Sequence, residues 1–220
     1  MLTYDCLTPS VQTRIAPDLV ARMTNSTVTM PWEILDRMEQ AVAKVRDRLL
    51  RATAALNAAG IPYAVVGGHA VASWVATVDE GAVRNTRDVD LLIRRADLSV
   101  VTAALEQAGF IRAEVLNVTM FLDGPSAKPS ESIHLLFAGE KVRPDHPLPS
   151  PDLTTIDDPA GFHVITFEAL VHMKLLSNRR KDQVHVEDLI GVGLIDRSWI
   201  PKLPPLLAER LKGILDTPES

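Results

Sequence analysis

Tyr63-Ala64-Val65-Val66 is an apolar run closed by Gly67-Gly68, and it constrains the architecture more than any other segment. Its residues do not alternate between apolar and polar, so a strand built from them is buried on both faces. Gly60 and Pro62 stop a long helical pattern just ahead of it, and a short helix from about His69 to Ala76 follows directly. A buried strand between two helices belongs to an α/β or α+β domain.

The leading helix is expected over residues 31–59. Thr29 and Pro31 supply its start, since proline is tolerated in a first turn. Leu35, Met38, Val42, Val45, Leu49, Ala52 and Leu56 recur at spacings of three and four, which makes an apolar stripe on one helix face. The stripe serves either the domain's own core or, because the repeat is heptad-like, a homodimer seam. Its short length favours the core.

Beyond the glycines, residues 77–84 are a polar connection and Asp88 to Ile93 reads as the next strand. Asp97 is placed to cap a helix across Leu98 to Gln107, which Gly109 ends. Val115 to Leu122 and Ser132 to Phe137 are strand-like, and the turn-rich Asp123-Gly124-Pro125-Ser126 between them predicts a hairpin. Residues 143–161 hold five prolines and read as a loop. From Phe167 the pattern is helical, broken by Pro201, Pro204 and Pro205 before a last helix ending near Leu215. The predicted fold is therefore α/β (α+β), a small mixed sheet flanked by helices. An arm is expected over 1–30, the α/β core with its leading helix over 31–165, and a C-terminal helical part over 166–220. A chain of 220 residues, 46% apolar, can bury such a core.

Charge and cysteine content narrow the function. A net charge of −5 and a pI near 5.7 disfavour nucleic-acid binding through the whole surface but leave room for a local basic patch. Cys6 is the only cysteine, so no internal disulfide forms, which suits a reducing cytoplasm. No basic start followed by an apolar stretch marks a signal peptide, and no run suits a membrane span. A cytoplasmic protein without membrane contact is expected.

Asp88 and Asp90 stand two apart in a predicted strand, so their side chains share a face. Like charges that close resist burial, and a divalent cation between them relieves the cost. Mg²⁺ takes oxygen ligands, commonly one or two carboxylates plus substrate phosphates. An isolated Asp-Val-Asp is more often a solvated strand end, and a lone Gly-Gly is more often a simple turn. The combination is more specific: an apolar strand, Gly67-Gly68-His69-Ala70, a spacer, then Arg84-Asn85-Thr86-Arg87-Asp88-Val89-Asp90-Leu91-Leu92. It resembles the signature of the DNA polymerase beta-like nucleotidyltransferase superfamily. The small prokaryotic branch is most similar, with its aminoglycoside- and lincosamide-type enzymes and abortive-infection toxin type.

That resemblance implies a Mg²⁺-dependent transfer of a nucleoside monophosphate from a nucleoside triphosphate, ATP among the candidates, to an acceptor hydroxyl. Asp88 and Asp90 would hold Mg²⁺, and Gly67, Gly68, Thr86 and Arg87 would lie against the nucleotide. The acceptor would be a small molecule, a protein or an RNA. The superfamily adds a third carboxylate on a later strand, but the matching run Glu131-Ser132-Ile133-His134-Leu135-Leu136 puts His134 there. A histidine can act as a general base but is a poor Mg²⁺ ligand. Glu131, three positions earlier, faces the other way in a regular strand. The site is therefore either an active one that uses His134 or a catalytically impaired binding module, for instance in a toxin–antitoxin or regulatory complex.

A basic cluster, Lys174, Arg179, Arg180 and Lys181, reads either as a solvated helix end or as phosphate contacts. The resemblance favours Lys174 and Lys181 as the contacts. Asp182, His185 and Asp188 share a helix face. They make a conceivable metal site, although a capping Asp182 with two surface or packing residues is the simpler reading. Trp32, Trp74 and Trp199 form no base-stacking platform, and there is no P-loop, kinase motif set or nucleophile elbow.

Overall fold

The computed structural model describes residues 32–115, 118–128 and 131–217. The expected arm, Cys6, Thr29 and Pro31 lie outside them. The chain divides into two compact units, residues 1–39 and 40–220. Of the first, only the opening turns of a helix are described.

Helix α1, Trp32–Ala58, is the expected leading helix. Its stripe changes character along its length: Val45, Leu49, Ala52 and Leu56 are buried, whereas Leu35, Met38 and Val42 are exposed. The core reading therefore holds for the C-terminal half. Strand β1, Ala64–Val66, is buried throughout, as its unbroken apolar pattern requires. Helix α2, Gly67–Ala76, begins at the glycine pair itself rather than at His69. Strand β2, Val89–Ile93, begins one residue after Asp88, which stands just outside it. Helix α3, Leu98–Gln107, follows. Asp97 occupies its N-cap but makes no capping hydrogen bond, because it closes a 3₁₀ turn over Arg95–Asp97.

Strands β3 (Ile111–Val115), β4 (Val118–Leu122), β5 (Ser132–Phe137), β6 (Thr155–Asp157) and β7 (His163–Ile165) complete a seven-stranded mixed sheet in the order β3-β4-β5-β2-β1-β7-β6. β2 runs parallel to β5 and β1 parallel to β7, and the other neighbours are antiparallel. The β4–β5 pair is the expected hairpin. The segment read as one strand from Val115 is instead the end of β3 followed by β4. The loop read over 143–161 contains β6, whose three residues are all exposed at a sheet edge and so carry no burial pattern.

The last third is helical as expected: α4 (Phe167–Ser177), α5 (Arg180–Gly191) and α6 (Pro205–Asp216), the last with proline in its first turn. α2 packs on β2, α4 and α5, which brings the glycine turn, the aspartate strand and the basic segment to one region. No helix among the described residues is long and apolar enough to cross a membrane.

Candidate functional site

The site begins where β1 ends. Val66 stands opposite Asp90 in the β1–β2 ladder, and the chain then turns at Gly67 with φ 67°. A side chain there is strained by the backbone alone. It would also collide: a Cβ on Gly67 would overlap Asp90 Oδ2 and lie 2.8 Å from its Cγ. A Cβ on Gly68 would lie 2.7 Å from Thr86 Oγ1. The glycine pair thus lets the backbone lie directly against Asp90 and Thr86. Thr86 Oγ1 and the neighbouring His69 Nε2 are buried with no hydrogen-bond partner among the described residues. Buried polar atoms of this kind are stabilised when a ligand supplies the partner.

Asp90 and His134 are direct partners across the parallel β2–β5 ladder, and His134 Nδ1 lies 3.3 Å from Asp90 Oδ1. Burial opposes ionisation of Asp90. The His134 hydrogen bond and the charges of His134, Lys174 and Lys181 outweigh burial and hold the carboxyl below the usual carboxylate range. Asp88 Oδ2 lies 3.5 Å from Lys181 Nζ. Burial pushes the His69 imidazole below its ordinary value, against the pull of the Asp90 and Asp88 charges. Glu131 does not join this group. It lines a hollow of about 580 Å³ with Asp47, Arg48 and Asp123.

The turn between α4 and α5 supplies the cations. Asn178, in the left-handed region at φ 49°, ends α4 so that α5 starts almost at once. Lys174 is only 5% exposed, and its Nζ lies 3.3 Å from Asp182 Oδ1, while Arg179 Nε donates to Asp182 Oδ2 at 2.8 Å. Asp182 therefore does not cap α5. It sits inside the first turn and spends its oxygens on two cations. Burial lowers the Lys174 ammonium, and the charges of Asp182 and Asp90 oppose that. The Asp182 bond raises Arg179, with the charges of Asp90 and Asp88 adding to it. Arg179 thus feels both site carboxylates, in addition to the Lys174 and Lys181 expected from the sequence.

The structure gathers Gly67, Gly68, Thr86, Asp88, Asp90, His134, Lys174 and Lys181. Arg87 points no bonded side chain into the group and is exposed. Among the described residues no three His, Cys, Asp or Glu side chains converge as a metal site, so Asp182, His185 and Asp188 are not one. Asp188 is instead 2.7 Å from Arg84. The donors at Asp88 and Asp90 are hard carboxylate oxygens, and the glycine turn leaves backbone rather than side chains beside them. That set fits Mg²⁺ completed by substrate oxygens, whereas the His134 nitrogen does not.

His185 is buried beside this cluster. Burial, reinforced by the Lys174 charge, lowers its imidazole from 6.5 to about 4. The unfolded chain therefore binds the extra proton between those values. Stability is full above pH 6.5 and falls as the pH drops towards 4, by up to about 3 kcal/mol. Urea unfolding at pH 7 and pH 5 checks this. His185→Gln is expected to lose visibly less stability between the two than the parent.

Three solved structures are similar to the chain. The solution structure of the antibiotic-resistance factor ANT(2'')-Ia is 15% identical over 80% of this chain and 90% of that one, with a TM-score of 0.47. The crystal structure of ANT(2'')-Ia with adenylyl-2''-tobramycin is 16% identical over 74% and 94%, with a TM-score of 0.48. An antigenic nucleotidyltransferase-like protein from Paracoccidioides brasiliensis is 19% identical over 79% and 86%, with a TM-score of 0.46. A comparison with curated proteins finds no match. The family model described as "uncharacterised nucleotidyltransferase" matches residues 7–187, most of the chain, and the protein belongs to that family.

Proposed function

We propose that the protein is a Mg²⁺-dependent nucleotidyltransferase that moves a nucleoside monophosphate from a nucleoside triphosphate to a hydroxyl on a small molecule, protein or RNA. The observation that carries this reading is the position of Asp90, held between the Gly67 backbone and His134, with Asp88 and three cations around it.

Asp88 and Asp90 hold the metal, which when bound supplies charge neutralisation at the triphosphate. The amides at the start of α2 meet phosphate oxygens, as helix N-termini do. Lys174, Arg179 and Lys181 add positive charge, and Thr86 Oγ1 and His69 Nε2 have hydrogen-bonding capacity to offer. The acceptor oxygen attacks the α-phosphorus. The bond from that phosphorus to the bridging oxygen breaks, and pyrophosphate leaves in line. His134, oriented by Asp90, takes the acceptor's proton. The test is incubation with α-labelled ATP, GTP, CTP and UTP and a panel of acceptors. Label transfer with pyrophosphate release, lost in Asp88→Ala, supports the reading. No Mg²⁺-dependent transfer with any acceptor speaks against it.

One observation favours a second reading. Lys181 and His134 already lie against the two carboxylates, at 3.5 Å and 3.3 Å, as expected of a nucleotide-binding module that has lost turnover and acts in a toxin–antitoxin or regulatory complex. Calorimetry with the four triphosphates separates the readings. Tight binding without turnover, and activity gained by His134→Asp, point to the module.

A further inference from the structure

The buried face of α1 is apolar except at Arg48 and Thr53. Thr53 is satisfied within the helix by donating to the Leu49 carbonyl. Arg48 is different. Its side chain is 6% exposed, its Nε donates to Asp123 Oδ2 at 3.3 Å, and its Nη1 donates to the Arg87 carbonyl at 3.3 Å. A guanidinium buried this deeply is seldom retained for stability, because an apolar side chain of similar volume packs as well or better. What an apolar side chain cannot do is hold a carbonyl.

The carbonyl it holds belongs to the residue immediately before Asp88. Asp88 lies outside the β2–β5 ladder, whose first pair is Val89 with Ile133, so strand pairing does not fix its backbone. The other acceptor, Asp123, directly follows β4, the strand that places Met120 opposite His134. Arg51, one turn on along α1, grips the same Asp123 at 2.5 Å and lies over the Phe110 ring at 4.4 Å. A planar fork that reaches two acceptors at once is a property of arginine, which lysine lacks.

We infer that Arg48 is a positioning residue for the carboxylate site: its fork ties the Arg87–Asp88 peptide to Asp123, and so fixes the direction of Asp88 relative to the strands that carry Asp90 and His134. This rests on the proposed metal–nucleotide role of Asp88, and the experiment separates the two ideas. Arg48→Met and Arg48→Lys are compared with the parent, with Leu49→Ala as a control that weakens the same helix without touching Arg87. Amide hydrogen exchange is followed over residues 84–93 without ligand, and Mn²⁺·ATP binding is titrated by calorimetry.

The expected result for Arg48→Met is faster exchange confined to residues 84–93 and binding weakened about 10- to 100-fold, the range typical of groups that orient metal ligands. Arg48→Lys should fall in between, and Leu49→Ala should leave the affinity near that of the parent. If Arg48→Met does not fold, Asp123→Asn replaces it. That variant keeps the shape, loosens the fork, and should show the same two effects. Unchanged exchange at 84–93, or equal weakening in Leu49→Ala, overturns the inference. A parent that binds no Mn²⁺·nucleotide removes the proposed function instead, and the exchange result still decides whether Arg48 holds the Asp88 backbone.

Discussion

Asp90→Asn is expected to lower kcat/KM for nucleotide transfer by at least about 10³-fold, roughly 4 kcal/mol of transition-state stabilisation. The change keeps the side chain's shape and removes its charge. Asp90 is where that charge matters most: it accepts from His134, it is pressed by the glycine turn, and Lys174 and Lys181 both act on it. Stability should fall only modestly, by about 1–2 kcal/mol, because the bonds and charges that keep Asp90 ionised outweigh its burial cost, and the amide's own hydrogen bonds offset their loss only in part. A steady-state assay beside a urea melt checks both halves. A large loss of stability, or activity close to that of the parent, would mean that Asp90 acts in the fold and not in the chemistry.

Gly67→Ala should be the most damaging single-methyl change in the protein. Gly67 has φ 67°, where a side chain costs about 1–2 kcal/mol, and its new Cβ would overlap Asp90 Oδ2. Relief requires moving either the carboxylate or the turn, so a total cost of about 3 kcal/mol or more is expected, together with loss of activity. Gly60→Ala is the matched control. Its φ is 63°, but nothing lies within 4 Å of the added Cβ, so it should pay only the backbone strain and keep its activity. Chemical denaturation of the two variants, followed by transfer assays on whichever fold, gives the comparison. Equal losses in the pair would show that the contact with Asp90 has no consequence.

The centre of the sheet was legible in the sequence because its strands are buried on both faces. Tyr63 to Val66 and Leu91 to Ile93 are unbroken apolar runs, the first closed by Pro62 and Gly67 and the second by Arg94 and Arg95. The flanks were not legible. β6 is three exposed residues, Thr155-Ile156-Asp157, within a proline-rich stretch, and β3 is an edge strand with little burial. Edge pairing is decided by backbone hydrogen bonds to a neighbour that local sequence does not describe.

The site divides in the same way. Asp90 and His134 could be matched from their apolar flanks, since β2 and β5 are both core strands, and the ladder does pair them. The partners of Asp182 could not be read. At a helix start an aspartate looks like a cap, and only tertiary packing sets it against Lys174 and Arg179. Arg48 was hidden for a similar reason. On a helical wheel it borders the apolar stripe, like many solvated arginines, and its acceptors lie 39 and 75 residues away.

The central claim is that the glycine turn and the aspartate pair form one metal–nucleotide site. A crystal structure of the protein with Mg²⁺ and a triphosphate analogue that resists cleavage at the α-phosphorus tests it most directly. The expected result is a metal ion on the carboxylates of Asp88 and Asp90, phosphate oxygens against the amides at the start of α2, and Lys181 moved from Asp88 to the triphosphate. A nucleotide bound elsewhere, or Asp88 and Asp90 still paired only with Lys181 and His134 at saturating ligand, would contradict it.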